Sequence, residues 1–376
     1  MLNNKRIMIA TGGTGGHINP ALAVAGCIKE KYPLAELLFV GTAVKMEARL
    51  VPAAGYDFRT IDIQGLKRGF SPSEITENIR TLVKLVNSRR RAAQIIREFR
   101  PDAVIGFGGY VSGPVLSAAA SMGIPTAVHE QNAFPGVTNK TLARKVDKVM
   151  LTVPDAEKYI RSRNPCTVTG LPVRGEIIRA DREFSRAKLK LDDRPLILSM
   201  GGSLGARVIN EAVTQLICER YQRKDCYFLH ATGKTGAGMI ELIQNEKKID
   251  LEENKHIMLR EYIDDMDVCM SAADLVICRA GASTLSELEA LGKPSILIPY
   301  PYAAENHQYY NAMALVNNSA AIMFEEKDFT GDKLIETVDG LLEDRARLAS
   351  IGENARGLAV LNASERIVEC ICEIVK

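Results

Sequence analysis

No run of apolar residues in this chain approaches the ~20 needed to cross a bilayer as a helix, so any membrane association is expected to be peripheral. Charge of one sign is lacking as well. Lys+Arg 48 against Asp+Glu 46 leaves a net charge of +2, which gives the whole chain no electrostatic mandate to bind DNA or RNA. The eight cysteines (Cys27, Cys166, Cys218, Cys226, Cys269, Cys278, Cys370 and Cys372) include no C-x-x-C pair, and several sit in apolar periodic stretches where a thiol acts as a small hydrophobe. A reducing cytosol is the expected compartment. Residues 1–6 run directly into the first apolar segment with no signal-peptide pattern.

A length of 376 residues exceeds what one apolar core usually supports, and the sequence restarts partway along. Two glycine-paired turns, Gly12-Gly13-Thr14-Gly15-Gly16-His17 and Gly201-Gly202-Ser203-Leu204-Gly205-Ala206, each follow a short apolar run and open a helical period. Strands are expected at 7–10, 37–40, 103–105, 126–128 and 149–151, and again at 196–200, 227–230, 256–259, 275–278 and 295–299, each followed by an amphipathic stretch. This predicts an α/β protein of two Rossmann-like, doubly wound parallel-sheet domains facing a cleft. The stretch 155–172 mixes charges, prolines and a glycine without period, and the boundary is placed near residue 163. Residues 362–376 have helical spacing and could pack on either domain.

Glycine turns that open helices bring backbone N–H groups and the positive end of the helix dipole towards a ligand, which suits a phosphorylated one. The first turn lacks the Lys-Ser/Thr ending of a P-loop and misses the G-x-G-x-x-G spacing, which disfavours ATP or GTP hydrolysis of that type and nicotinamide chemistry. His17 falls in the first helical turn, where the dipole favours the neutral imidazole that a general base requires; the competing reading is a capping residue. A third glycine cluster, 106–114, follows the strand at 103–105. His129-Glu130-Gln131-Asn132 then closes the next strand, where parallel sheets host ligands. In the second half, 278–287 runs from a strand through Gly281 into Ala282-Ser283-Thr284-Leu285-Ser286-Glu287. Glu287 could accept from a ribose diol or serve the helix dipole. Asn306, His307 and Gln308 form a polar helix start suited to sugar hydroxyls. Asp265-Met266-Asp267 is a D-x-D, read either as a metal site or as helix-start acids. The helical segment 75–100 carries Lys84, Arg89, Arg90, Arg91, Arg97 and Arg100 beside an apolar stripe (Ile75, Ile79, Leu82, Val83, Val86, Ala93, Ile96), and is either a sheet-covering helix or a membrane-surface contact.

With 12–17, Gly-Gly-Tyr-Val-Ser-Gly-Pro at 108–114, His-Glu-Gln-Asn at 129–132, Gly-Gly-Ser-x-Gly-Ala-Arg at 201–207 and Thr284 to Glu287 in order, the chain resembles, over essentially its whole length, the MurG family of GT-B-fold inverting glycosyltransferases. The resemblance implies transfer of GlcNAc from UDP-GlcNAc to the 4-hydroxyl of MurNAc in undecaprenyl-diphospho-MurNAc-pentapeptide (lipid I), giving lipid II and UDP, with no cofactor and no essential metal. It implies donor contacts at Thr14, Gly15, Gly16, Asn132, Arg174, Ser203, Ile263, Ala282 to Glu287, Asn306 and Gln308. Ser203 and the 282–287 helix start would hold the diphosphate, the Ile263 backbone would meet uracil, and Glu287 would meet the ribose. His17, Tyr110, His129, Glu130 and Asn139 would line the acceptor side, with His17 as the candidate base and Asn132 or Glu130 as alternatives that align the hydroxyl. His307 stands where the family often has a second glutamine. A polyprenyl acceptor implies an anionic membrane surface as partner, met by Leu82, Val83, Leu85 and Val86 with Arg89, Arg90, Arg91 and Lys140 on the cytoplasmic face, and other cell-wall synthesis and division proteins as further partners. A UDP-GlcNAc 2-epimerase and a non-catalytic UDP-sugar-binding regulator are the alternatives.

Overall fold

The computed structural model describes residues 1–63 and 72–375; for 72–83 and for 235, 237, 240 and 246 it describes the backbone alone. Two compact units result. One comprises Met1–Pro172 with Asn362–Lys376, the other Val173–Leu361.

In the first unit, β1 (Arg6–Ala10), β2 (Glu36–Gly41), β3 (Asp57–Thr60), β4 (Ala103–Gly106), β5 (Thr126–Glu130), β6 (Lys148–Leu151) and β7 (Thr167–Val168) form one parallel sheet in the order β3-β2-β1-β4-β5-β6-β7. Among its helices are α1 (Gly15–Lys31), α2 (Glu47–Ala53), α3 (Pro72–Phe99), α4 (Gly109–Ser121) and α5 (Val137–Leu142). The pleat sends alternate residues to opposite faces. Met8, Val104 and Val128 pack under α3 and α4 with Ile95, Ile96 and Val115, while Ile7, Ile9 and Ile105 pack against Ala21, Val24 and Ile28 of α1. The C-terminal helix Ala363–Ile374 joins this second face through Ile367, Val368 and Ile371, so the tail that the sequence left unplaced belongs to the first unit.

The second unit repeats the plan with β8 (Leu196–Met200), β9 (Tyr227–Ala231), β10 (Ile257–Arg260), β11 (Leu275–Cys278), β12 (Ser295–Leu297) and β13 (Ile322–Met323), parallel in the order β10-β9-β8-β11-β12-β13. Strand order reverses between β1 and β4 and again between β8 and β11, and at such switch points the C-terminal strand ends open to ligands. All the glycine turns discussed above lie there.

The passage between units comes at Pro172, beyond the expected point near residue 163, because β7 still pairs with β6 and the Thr169 N–H binds the Leu151 carbonyl at 2.8 Å. β3, β7 and β13 were not foreseen; each is a short edge strand, and of the three only β13 lies in an apolar run, Ala320 to Phe324. The expected apolar stripe of α3 also shifts: Ala92, Ile95 and Ile96 are buried, whereas Val86 is 54% exposed.

Candidate active site

Helices that follow the central strands start without a side-chain cap. Thr14, Gly108, Ala206 and Gly281 occupy the N-cap positions of α1, α4, Arg207–Arg220 and Ala282–Leu291, no side chain caps these ends, and no first turn carries an acid. By contrast Asp181, Thr330 and Asp344 cap Arg182–Lys188, Gly331–Glu343 and Arg345–Leu358. Uncapped starts leave N–H groups and partial positive charge for an anion.

In the first unit His17 is half-buried, its Nδ1 3.3 Å from Oγ1 of exposed Thr14, and its carbonyl accepts from Thr11 Oγ1 at 2.9 Å. The loop rests on a residue that the motifs did not reveal. Glu47, fully buried at the start of α2, accepts from the Gly13 N–H at 3.1 Å through Oε2, and from Thr42 N–H (3.0 Å) and Oγ1 (2.7 Å) through Oε1. No spacing rule links residue 47 to residue 13; the only trace is a carboxyl group placed just after a buried strand. The two glycine clusters interlock: a Cβ on Gly109 would lie 2.4 Å from the Gly12 carbonyl oxygen. Tyr110, one residue on, is 59% exposed.

The His129 to Asn139 group behaves differently from expectation. His129 has no exposed surface, lies 2.9 Å from the Gly170 carbonyl through Nε2 and takes a hydrogen bond from Gln131 Nε2 at 3.1 Å through Nδ1. Burial pushes its pKa down to about 4, so the ring is neutral and donates to Gly170. Glu130 is enclosed too. Its Oε1 accepts from Asn132 N–H (2.9 Å) and Nδ2 (3.2 Å), and its Oε2 from Gly136 N–H (3.1 Å) and Asn139 Nδ2 (2.8 Å). Burial raises its pKa, with the four donors opposing that rise. His129, Glu130 and Asn139, which the sequence suggested for the acceptor side, are thus enclosed and hydrogen-bonded within the first unit. They hold the loop that presents half-buried Asn132, because at a strand end inside a sheet polar groups must find partners within the fold.

In the second unit Glu287 is largely buried on Ala282–Leu291, and Arg174 Nε donates to its Oε1 at 2.8 Å. Burial raises the Glu287 pKa and the guanidinium opposes this. Ala282, Ser283 and Thr284 are partly open, whereas Leu285 and Ser286 are buried, Leu285 within the apolar core, so these two could meet a ligand only through backbone. Ser203 is exposed in its glycine loop and Ile263 is buried, leaving the latter its main chain for recognition. Gln308 Oε1 accepts from Tyr300 N–H at 2.9 Å, and His307 Nδ1 lies 2.7 Å from the Ala304 carbonyl. Asn306 takes a left-handed backbone conformation (φ 53°) just before the helix His307–Val316. Asp265 of the D-x-D pairs with Arg260 at 2.8 Å, and among the described residues no group of three or more His, Cys, Asp or Glu could hold a metal. On α3, Leu85 and Val86 are exposed beside exposed Arg89, Arg90 and Arg91. Lys140 of α5 sits 3.7 Å over the Phe134 ring, and the side chains of Leu82 and Val83 lie outside the described residues.

Residues 7–151 match the glycosyltransferase family 28 N-terminal domain and residues 196–367 its C-terminal domain. A relative from Acetivibrio thermocellus, named UDP-N-acetylglucosamine–N-acetylmuramyl-(pentapeptide) pyrophosphoryl-undecaprenol N-acetylglucosamine transferase, is 44% identical over 372 residues, covering 99% of this chain and 98% of its own. One from Moorella thermoacetica with the same name is 43% identical over 99% of both. The crystal structure of Acinetobacter baumannii MurG superposes with a TM-score of 0.78 at 30% identity, covering 98% of this chain and 99% of that one. The S. aureus MnaA–UDP structure, TM-score 0.67 at 18% identity, shares the fold alone. With both family domains in order along a chain that matches these relatives end to end, the protein belongs to glycosyltransferase family 28, among the MurG-type enzymes.

Proposed function

We infer that this enzyme transfers GlcNAc from UDP-GlcNAc to the lipid-linked MurNAc-pentapeptide, lipid I, giving lipid II and UDP. For the residues that do so, the observation that carries most weight is the pairing of uncapped, acid-free helix starts at both switch points with a half-buried histidine on one of them. The helix Ala282–Leu291 and the Ser203 loop are assigned the donor diphosphate, and Glu287, oriented by Arg174, the ribose. In an inverting single displacement the acceptor 4-hydroxyl attacks C1 as the C1–oxygen bond to UDP breaks through an oxocarbenium-like transition state. His17 takes the hydroxyl proton. Charge then accumulates on the departing diphosphate, where backbone N–H groups stabilise it.

Purified protein incubated with radiolabelled UDP-GlcNAc and a short-chain lipid I analogue tests this. Transfer is expected for wild type and should fall about 10²-fold or more in His17→Ala, the usual worth of a general base. Epimerised UDP-sugar formed without acceptor would instead indicate a 2-epimerase, and donor binding without UDP release a silent regulator.

No helix among the described residues is long and apolar enough to cross a membrane. The exposed Leu85 and Val86 with Arg89, Arg90, Arg91 and Lys140 support a peripheral contact with anionic lipid at the cytoplasmic face. Binding to phosphatidylglycerol vesicles should weaken with salt and with Arg89/Arg90/Arg91→Glu; binding that ignores both would remove this assignment.

A further inference from the structure

Gln131 is only 4% exposed, and its Nε2 lies 3.2 Å from the Phe107 carbonyl, 3.1 Å from the His129 carbonyl and 3.1 Å from His129 Nδ1. Carbonyl oxygens cannot donate, so the amide nitrogen must face them and Oε1 must face the other way. His129 confirms the orientation. Its Nε2–H is directed to the Gly170 carbonyl, which leaves Nδ1 able only to accept. Gln131 Oε1 is buried and has no hydrogen-bond partner among the described residues, an expensive arrangement that calls for a reason.

The reason lies over Gly108. A Cβ there would come 3.1 Å from Gln131 Oε1 and 3.0 Å from His17 Nε2, so the amide oxygen and the imidazole border the same small space, which the missing side chain (φ +82°) keeps open. The other ring nitrogen, Nδ1, lies beside Oγ1 of exposed Thr14.

We propose that Gln131 is a positioning residue that sets the tautomer of His17: no hydrogen bond joins the two side chains, but the partial negative charge of Oε1 beside the ring favours the proton on Nε2, leaving Nδ1 as the nitrogen that receives the acceptor proton. This rests on the reading of His17 as the base. As the acceptor oxygen bonds to C1, its proton moves to Nδ1, and the C1–oxygen electron pair leaves with UDP. The imidazolium then carries a proton on each nitrogen, with Nε2–H beside Gln131 Oε1.

Only five histidines are present, so long-range 15N–1H correlation spectra of histidine-labelled wild type can be assigned by the signal lost in His17→Ala. A predominant Nε2–H tautomer at pH above the ring's titration is expected. In Gln131→Met, which keeps length and volume but removes the acceptor, the population should move towards Nδ1–H. There kcat should fall by about ten- to hundredfold, part of what general-base catalysis is worth, with KM for UDP-GlcNAc within about twofold. A wild-type Nδ1–H tautomer overturns the proposal, as does a Gln131→Met protein with unchanged tautomer and kcat. A wild-type Nδ1–H ring overturns the proposal even if the variant does not fold; because a free imidazole already favours Nε2–H, support for it comes from the shift in Gln131→Met. Undiminished transfer by His17→Ala would sink the base reading, whereas a shift from Nε2–H towards Nδ1–H on Gln131→Met would still uphold the Gln131 effect on the ring.

Discussion

At the scale of single residues, the buried polar groups beneath the glycine loops decide more than the glycines do. Glu47 only accepts: three donors converge on its two oxygens. In Glu47→Gln one of those positions becomes an NH2 group facing an N–H, leaving a buried donor unsatisfied, so stability should drop by about 1–3 kcal/mol in urea denaturation. Transfer should fall as the loop loosens, while UDP binding, assigned to the other unit, should hold in calorimetry. His230 is another such group. It contacts Ser199 Oγ at 2.7 Å and Asn210 Oδ1 at 3.1 Å, and burial lowers its pKa to about 4, as for His129. The unfolded chain accepts a proton near pH 6.5 that the folded rings refuse, so this contribution is complete above about 6.5 and is lost as pH falls towards 4. The stability gap between wild type and His230→Gln should therefore narrow from about pH 7 to about pH 5; a constant gap would mean that the ring is not held neutral by burial.

At the scale of elements, the last helix carries the clearest consequence. Ile367, Val368 and Ile371 of Ala363–Ile374 pack into the face shared by α1 and the first sheet, although the chain has by then passed through the whole second unit. Ile371→Ala should destabilise the first unit by about 2–5 kcal/mol, visible as a lower urea midpoint for probes in residues 1–172 and an unmoved one for 173–361. Central elements were legible in the sequence because buried parallel strands such as Ile7 to Ala10 and Leu196 to Met200 read as apolar runs. The edge strands Asp57–Thr60 and Ile322–Met323 were not. They are short and partly solvated: Asp57–Thr60 has no apolar pattern of its own, and Ile322–Met323 pairs over two residues only.

For the whole molecule, the discontinuous first unit makes a direct prediction. Residues 1–172 joined by a short linker to 362–376 should fold with a sharper urea transition than 1–172 alone, which leaves an apolar face uncovered. Equal stability of the two would show that the tail adds nothing to that core. The second unit is continuous and contains its own two core layers on either face of its sheet.

The order of strands and helices, the glycine turns at the strand ends and the family membership followed from the sequence alone, because backbone geometry and burial impose local, periodic demands on residue type. Which polar side chains are enclosed by the fold and which stay partly open did not follow. His129, Glu130, Gln131 and Asn132 are four consecutive polar residues with one sequence signature, yet the first three are buried and Asn132 is half-open. That choice depends on partners such as Gly170, Gly136 and Asn139, brought to them by the fold, since a buried hydrogen bond is settled by proximity in space and not by position along the chain.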